Sequence, residues 1–314
     1  MKAVVTGCAG FVGSHLTERL LQDGHRVTGI DCFTDYYPRE IKEKNIDAAL
    51  QNKNFGFLDS SILDLDLPEV LAGADYVYHQ AAQAGVRNSW GKNFDIYTSN
   101  NILGTQRLLE ACRETKIKKF VYASSSSVYG DAVSLPMKET DVPRPISPYG
   151  ISKLAGEQLC YLYWKAYAIP VVSLRYFTVY GPRQRPDMAF NKFIRSIISG
   201  KEMEIFGDGL QTRDYTFVSD IVEANILAAG SKKCSAEVYN IGGGSRTTVK
   251  DCIKMLEGII GKKAKVKYLQ AQKGDMEHTY ADTSRAAFEL GYKPRVSLKE
   301  GLSREVGWII DAGL

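Results

Sequence analysis

Histidine is scarce in this chain: four among 314 residues, all widely separated, which leaves no metal-ligand spacing to read. No apolar run approaches the length of a membrane span, and Met1 leads directly into a strand-like run without a signal-peptide pattern, so a cytoplasmic protein with no membrane partner is expected. Neither sign of charge dominates. The formal net charge of +4 is modest, and the densest basic runs, Lys116 to Lys119 and Lys262 to Lys267, are interleaved with apolar residues and read as solvated edges, which argues against nucleic acid. The six cysteines contain no C-x-x-C pair. Cys8 sits in a glycine turn, and Cys112, Cys160 and Cys252 sit among helix apolar residues, so they read as small packing residues in a reducing compartment. Internal repeats and low-complexity tracts are absent too.

What is present is alternation. Short apolar runs recur with helix-like stretches between them: Val4 to Thr6, Val27 to Ile30, Phe55 to Leu58, Tyr76 to His79, Phe120 to Ala123, Val171 to Leu174 and Val238 to Ile241. The longest helical stretches are Phe94 to Thr115 and Tyr149 to Tyr167. Buried, non-alternating strands separated by helices predict an α/β fold with a doubly wound parallel sheet. After Tyr176 the pattern loosens into shorter elements, which suggests a smaller second lobe revisited by Gly258 to Leu314. The stretch from Thr34 to Lys53 is polar and helix-permissive, with no role legible in its residues.

The N-terminal order is strand, glycine turn, helix, strand, acid. Lys2 to Thr6 enters Gly7-Cys8-Ala9-Gly10-Phe11-Val12-Gly13, a helix follows from Ser14 to Gln22, and a second strand ends at Asp31. This is the order of a dinucleotide-binding βαβ unit, a Rossmann half. The glycines let backbone N–H groups approach a pyrophosphate at the helix N-terminus. Asp31, about 20 residues past the turn, is placed to accept from adenosine ribose hydroxyls, which favours NAD over NADP. The glycine spacing, GxxGxxG, is one residue wider than the usual fingerprint.

Further along, Tyr149 and Lys153 stand four residues apart at the start of a helix, and a hydroxyl run, Ser124 to Ser127, ends the strand before it. Positions i and i+4 share a helix face, so phenol and ammonium can point into one cleft. A phenol ionises near pH 10, and a nearby cation stabilises the phenolate. Bringing it to neutrality takes roughly 4 kcal/mol of differential stabilisation.

With His79-Gln80-Ala81-Ala82, Asn100-Asn101, Arg175 to Pro182, Ile205 to Gly209, Arg213-Asp214-Tyr215 and Asn240 to Gly244, these motifs cover almost the whole chain. Together they resemble the extended branch of the short-chain dehydrogenase/reductases, in particular the nucleotide-sugar epimerases. Gly85 to Trp90 and Phe177 to Met188 are most similar to UDP-glucuronate 4-epimerases. The resemblance implies a Rossmann NAD-binding domain over residues 1–177 and 216–257, and a substrate lobe over 178–215 and 258–314. It implies Tyr149 as base, Ser125 as the hydroxyl that bonds the sugar, and Lys153 on the nicotinamide ribose. Gly7, Gly10, Phe11, Val12, Gly13, Asp31, Ser61, Ile62, Gln80, Ala81, Ala82 and Asn100 complete the NAD contacts, Ser61 and Gln80 being departures from the family's Asp or Asn and its Leu. On the UDP-sugar side it implies Arg87, Phe177, Ala189, Phe190, Lys192, Phe206, Arg213 and Asp275. Gln272 stands where the family usually carries Arg, so Arg185 or Lys192 is the candidate replacement charge. A homodimer through the two long helices is implied as well.

The residues then select among chemistries. Oxidising carbon 4 of a glucuronate gives a β-keto acid, so a site that epimerises must hold the carboxylate and one that decarboxylates must release it. Ser126, Ser127 and Thr178 offer a hydroxyl cluster, Thr178 replacing the Asn usual in galactose-type epimerases, and Arg185 is the charged alternative. UDP-glucuronate 4-epimerisation is therefore the leading reading. The others are a neutral UDP-sugar 4-epimerase, a UDP-glucuronate decarboxylase, and a non-catalytic NAD-binding regulator, which would need only the glycine turn and Asp31.

Overall fold

All seven apolar runs enter one parallel sheet. The computed structural model describes residues 1–131, 134–232, 236–270 and 272–313. Strands β1 (Lys2–Thr6), β2 (Arg26–Asp31), β3 (Phe55–Asp59), β4 (Tyr76–His79), β5 (Lys119–Ser125) and β6 (Val171–Tyr176) join Glu237–Ile241. The order across the sheet is Glu237–Ile241, β6, β5, β4, β1, β2, β3. Both faces are covered, which is why the strands do not alternate. On one face helix α1 (Phe11–Gln22) and helix Val218–Gly230 bury Leu16, Leu20, Ile221 and Ala224. On the other, Leu108, Leu109, Cys160 and Tyr163 pack against Val77 and Phe120.

The strand order reverses beside β1, which pairs in parallel with β2 on one side and β4 on the other. A crevice opens at such a switch point, outside the carboxyl ends of the strands. The register puts Thr6 opposite His79, and a buried chain of bonds ties the two strand ends. Thr6 Oγ1 meets His79 Nδ1 at 2.7 Å, His79 Nε2 meets Thr105 Oγ1 at 3.0 Å, and the Ala81 N–H donates to Thr6 Oγ1 at 3.2 Å. Burial pushes the His79 pKa down to about 3, so the ring is neutral.

Helix Pro148–Tyr167 starts where its sequence says it should: Ser147 Oγ accepts from the Gly150 N–H at 3.1 Å, and Pro148 holds the first helical position. The other long helix differs from expectation. Residues 94–112 form an α-turn (Phe94–Tyr97), a π-helical stretch (Thr98–Leu103) and a second α-segment (Gly104–Cys112). The widened stretch carries buried Asn101, which exchanges bonds with the Gln83 backbone (2.7 and 3.0 Å) and donates to Ser152 Oγ (2.9 Å). π-bulges of this kind concentrate at functional sites.

A second core gathers helices Ala189–Ser199, Val249–Ile260 and Leu298–Asp311 around the paired strands Glu202–Phe206 and Lys265–Leu269. Helix Val249–Ile260 buries Cys252, Ile253 and Leu256 here, although residues to 257 were expected with the sheet, and Ala286 and Leu290 pack on the sheet's core instead. Among the described residues no helix is long and apolar enough to cross a membrane, and no cluster of His, Cys, Asp and Glu is arranged to hold a metal. Cys8, Cys32, Cys112, Cys160 and Cys252 are free thiols, and Cys234 lies outside the described residues.

Candidate active site

The glycine turn is built for close approach. Gly7 has φ of 70°, and a Cβ there would lie 2.7 Å from the Ala81 nitrogen, so the turn touches the loop after β4. A Cβ at Gly13 would meet the Gly7 carbonyl oxygen at 2.0 Å, so α1 seats directly on the turn. Gly10 is the N-cap of α1 and offers no side-chain cap, leaving the first amides of the helix available to an anion. Asp31 stands opposite, accepting from the Phe33 N–H (2.9 Å) and the Ala9 N–H (3.1 Å). Burial raises its pKa, and those N–H bonds and the Lys42 charge oppose the shift.

A cleft of about 480 Å³ runs from this turn to the ends of β5 and β6. Its wall includes Gly7, Gly10, Phe11, Val12, Gly13, Asp31, Ser61, Ile62, Gln80, Ala81, Ala82 and Asn100, and then Ser125, Ser126, Ser127, Tyr149, Lys153, Phe177, Thr178, Arg185, Arg213 and Asp275. Ser125 caps the turn after β5, accepting from the Ser127 N–H at 3.1 Å, and its hydroxyl lies near enough to the Tyr149 phenol to favour the phenolate. Burial raises the Tyr149 pKa; the Ser125 hydroxyl and the positive field of Arg185 pull it back. Lys153 donates to the Ala123 carbonyl at 2.8 Å, 5.2 Å from the Tyr122 ring centroid. Burial pushes its pKa down to about 7, against the attraction of Glu157. Ser124 is structural, donating to Glu157 at 2.5 Å, and Glu157 also holds buried Arg175 bidentately (2.8 and 2.9 Å).

Beneath the loop after β4, Gln80 donates to Asn225 Oδ1 at 3.0 Å and accepts from the Tyr176 phenol at 3.1 Å. The Gln80 that departs from the family's usual Leu is thus satisfied within a part-buried polar trio. At the far end, where Asp275 lines the cleft, Arg87 and Phe206 stand behind the wall: Arg87 forks onto Asp275 (2.6 and 3.1 Å) with its guanidinium 4.2 Å from the Phe206 ring centroid. Arg213 donates to the Thr212 and Glu277 carbonyls (2.9 and 3.0 Å). The start of helix Ala189–Ser199 lies elsewhere than expected. Phe190 is in the second core against Tyr180 and Tyr215, while Ala189 and Lys192 are on the exposed side, outside the cleft wall. Met188 lines the cleft in their place, and Tyr36, Tyr37 and Lys42 line it from the polar stretch after β2.

The sequence model of the NAD dependent epimerase/dehydratase family matches residues 3–242. The chain belongs to this family. Among curated relatives, the "uncharacterized UDP-glucose epimerase YtcB" of Bacillus subtilis is 46% identical over 98% of both chains. The UDP-glucuronate 4-epimerase of Thermodesulfobacterium geofontis is 39% identical over 97% of this chain and 95% of its own. Among solved structures, UDP-glucuronic acid 4-epimerase from Bacillus cereus, in complex with UDP-glucuronic acid and NAD, superposes with a TM-score of 0.97 at 47% identity, covering 99% of this chain and 100% of that one. The family's cofactor fits what the fold presents: a cradle that a Cβ at Gly7 or Gly13 would fill, an α1 N-terminus after Gly10 that no side chain caps, and Asp31 at the end of β2. When bound, NAD supplies the hydride acceptor and donor for the sugar.

Proposed function

We infer that UDP-glucuronate is the sugar this cleft turns over, with UDP-galacturonate as product. The activity is NAD-dependent 4-epimerisation of a UDP-sugar. Tyr149 takes the proton of the 4-hydroxyl and later returns it; Ser125 bonds the same hydroxyl and orients it. Lys153 holds the nicotinamide ribose and adds its charge to that of Arg185 near Tyr149. The Gly7 to Gly13 turn binds the pyrophosphate, and Asp31 the adenosine ribose. Arg213 and the Arg87–Asp275–Phe206 group receive the nucleotide.

The observation that carries the uronate reading is the set of donors around Tyr149. Ser126, Ser127 and Thr178 stand at the ends of adjacent strands β5 and β6, and Arg185 lies close enough to act on the Tyr149 charge. A neutral sugar needs no such concentration of donors. Purified protein incubated separately with UDP-glucuronate and UDP-galactose, with products identified by NMR, tests the reading. Faster conversion of UDP-galactose selects the neutral-sugar epimerase instead, and pentose with carbon dioxide as main product selects the decarboxylase. We further propose a homodimer through the outer faces of residues 94–112 and helix Pro148–Tyr167, where Ile96, Leu103, Ile151 and Leu162 are exposed. The free thiols fit a reducing, cytoplasmic setting.

A further inference from the structure

Tyr36 belongs to the polar stretch after β2, yet its phenol oxygen reaches the sugar end of the cleft. It occupies the space a side chain at residue 85 would need: a Cβ on Gly85 would lie 2.3 Å from it, and Gly85 has φ of 102°. From there the phenol donates to Asp187 Oδ2 at 3.4 Å and accepts from Asn88 Nδ2 at 3.4 Å. Asp187 in turn holds the Arg185 guanidinium bidentately (2.9 and 3.0 Å), 5.5 Å from the Tyr36 ring centroid. The carbonyl of Gly85 accepts from Tyr97 at 2.8 Å, and Tyr97 packs edge-on against Tyr149 with centroids 6.3 Å apart. One ring therefore meets the loop after β4, the strap that leads into the second lobe, and the surroundings of Tyr149.

We propose that Tyr36 is a positioning residue that closes the sugar end of the cleft, its phenol oxygen bridging Asn88 to Asp187 and thereby fixing where Arg185 stands. This rests on the epimerase reading. That chemistry leaves a 4-keto sugar that must turn over without leaving, so a closed chamber has a function beyond binding. Escape of the ketone before turnover is complete strands the enzyme with reduced nicotinamide. Gly85 and the Tyr36-containing stretch then form one device.

Tyr36→Phe keeps the ring and removes the oxygen. In the holoenzyme, with folding checked by melting, it is expected to lower kcat about two- to tenfold, the size of one or two hydrogen bonds, with KM less affected. Absorbance of reduced nicotinamide should grow with turnover where wild type shows none. Combined with Asp187→Asn, the loss should be smaller than the product of the single losses, because both act on Arg185. A Tyr36→Phe enzyme equal to wild type in rate and absorbance, or losses that multiply, overturns the proposal. Each enzyme is assayed on UDP-glucuronate and UDP-galactose: if wild type prefers the latter, the uronate reading fails and the same comparison on UDP-galactose decides Tyr36. A wild type inactive on both overturns both.

Discussion

Lys153 donates its ammonium proton to the Ala123 carbonyl at 2.8 Å inside the sheet's carboxyl edge. Its pKa there is about 7, because burial outweighs the pull of Glu157. A group that ionises so low when the cleft is free of ligand, and is held as a cation when the ribose is bound, links NAD affinity to pH. Below about pH 7 the lysine is charged in both states and affinity is flat. Above it binding must take up a proton, so affinity should fall by up to about tenfold per pH unit. Calorimetry of NAD binding to stripped protein, in buffers of different ionisation enthalpy, checks this: proton uptake should appear at pH 8 and vanish in Lys153→Met.

Tyr149→Phe removes the phenol oxygen and little volume. The ring keeps its edge contact with Tyr97, so NAD content and UDP-sugar affinity should stay within about threefold of wild type, the scale of a single neutral hydrogen bond. Turnover should fall by about 10²- to 10⁴-fold, the usual worth of a positioned acid or base. Isothermal titration with parallel rate assays separates the two. A variant with wild-type rates would assign the base elsewhere.

Much of this is legible in the amino-acid sequence, for physical reasons. The strands are buried on both faces, so they read as apolar runs, and the glycine turn is dictated by contacts as close as that of Gly13 with Gly7. What was not legible depends on distant partners. The break at Thr98–Leu103 follows from Asn101 bonding Gln83 and Ser152. Tyr36 sits in a polar stretch and meets its partners, Gly85, Asn88 and Asp187, far along the chain. The inward position of Phe190 does carry a signal: Phe190, Phe193, Ile194 and Ile197 recur at helical spacing, the stripe of an inward-facing helix.

Gly13→Ala tests the seating of α1 on the turn. A methyl group 2.0 Å from the Gly7 carbonyl oxygen forces backbone to move, and such overpacking costs about 1–3 kcal/mol. The variant should melt lower and retain less NAD on purification. Gly10→Ala, whose Cβ meets nothing nearer than 3.2 Å, should lose less stability.

Assembly has its own test. Ile151 and Leu162 are 51% and 54% exposed on one long helix, and apolar residues so placed on the longest helix are suited to a twofold helical bundle. Light scattering at micromolar concentration should give the mass of two chains, and charging the face with Ile151→Glu plus Leu162→Glu should give one.

The proposed hold of Ser126, Ser127 and Thr178 on a substrate carboxylate distinguishes the uronate reading from its alternatives. Ser126 and Ser127 follow β5 and Thr178 follows β6, strands paired in register with Ser125 opposite Tyr176, so their hydroxyls reach the same edge of the sheet. Hydroxyl donors carry no fixed charge; they can hold a carboxylate in line with the ring yet release it as the keto sugar rotates. Each bond to a charged group is worth roughly 1.5–3 kcal/mol, so losing one changes a branching ratio by about tenfold or more. Thr178→Ala and Ser127→Ala should therefore slow formation of UDP-galacturonate and raise the share of decarboxylated pentose, with wild type producing almost none. NMR of the product mixture reads both arms at once. Slower epimerisation with no added pentose would leave these hydroxyls a part in binding alone and pass control of the carboxylate to Arg185.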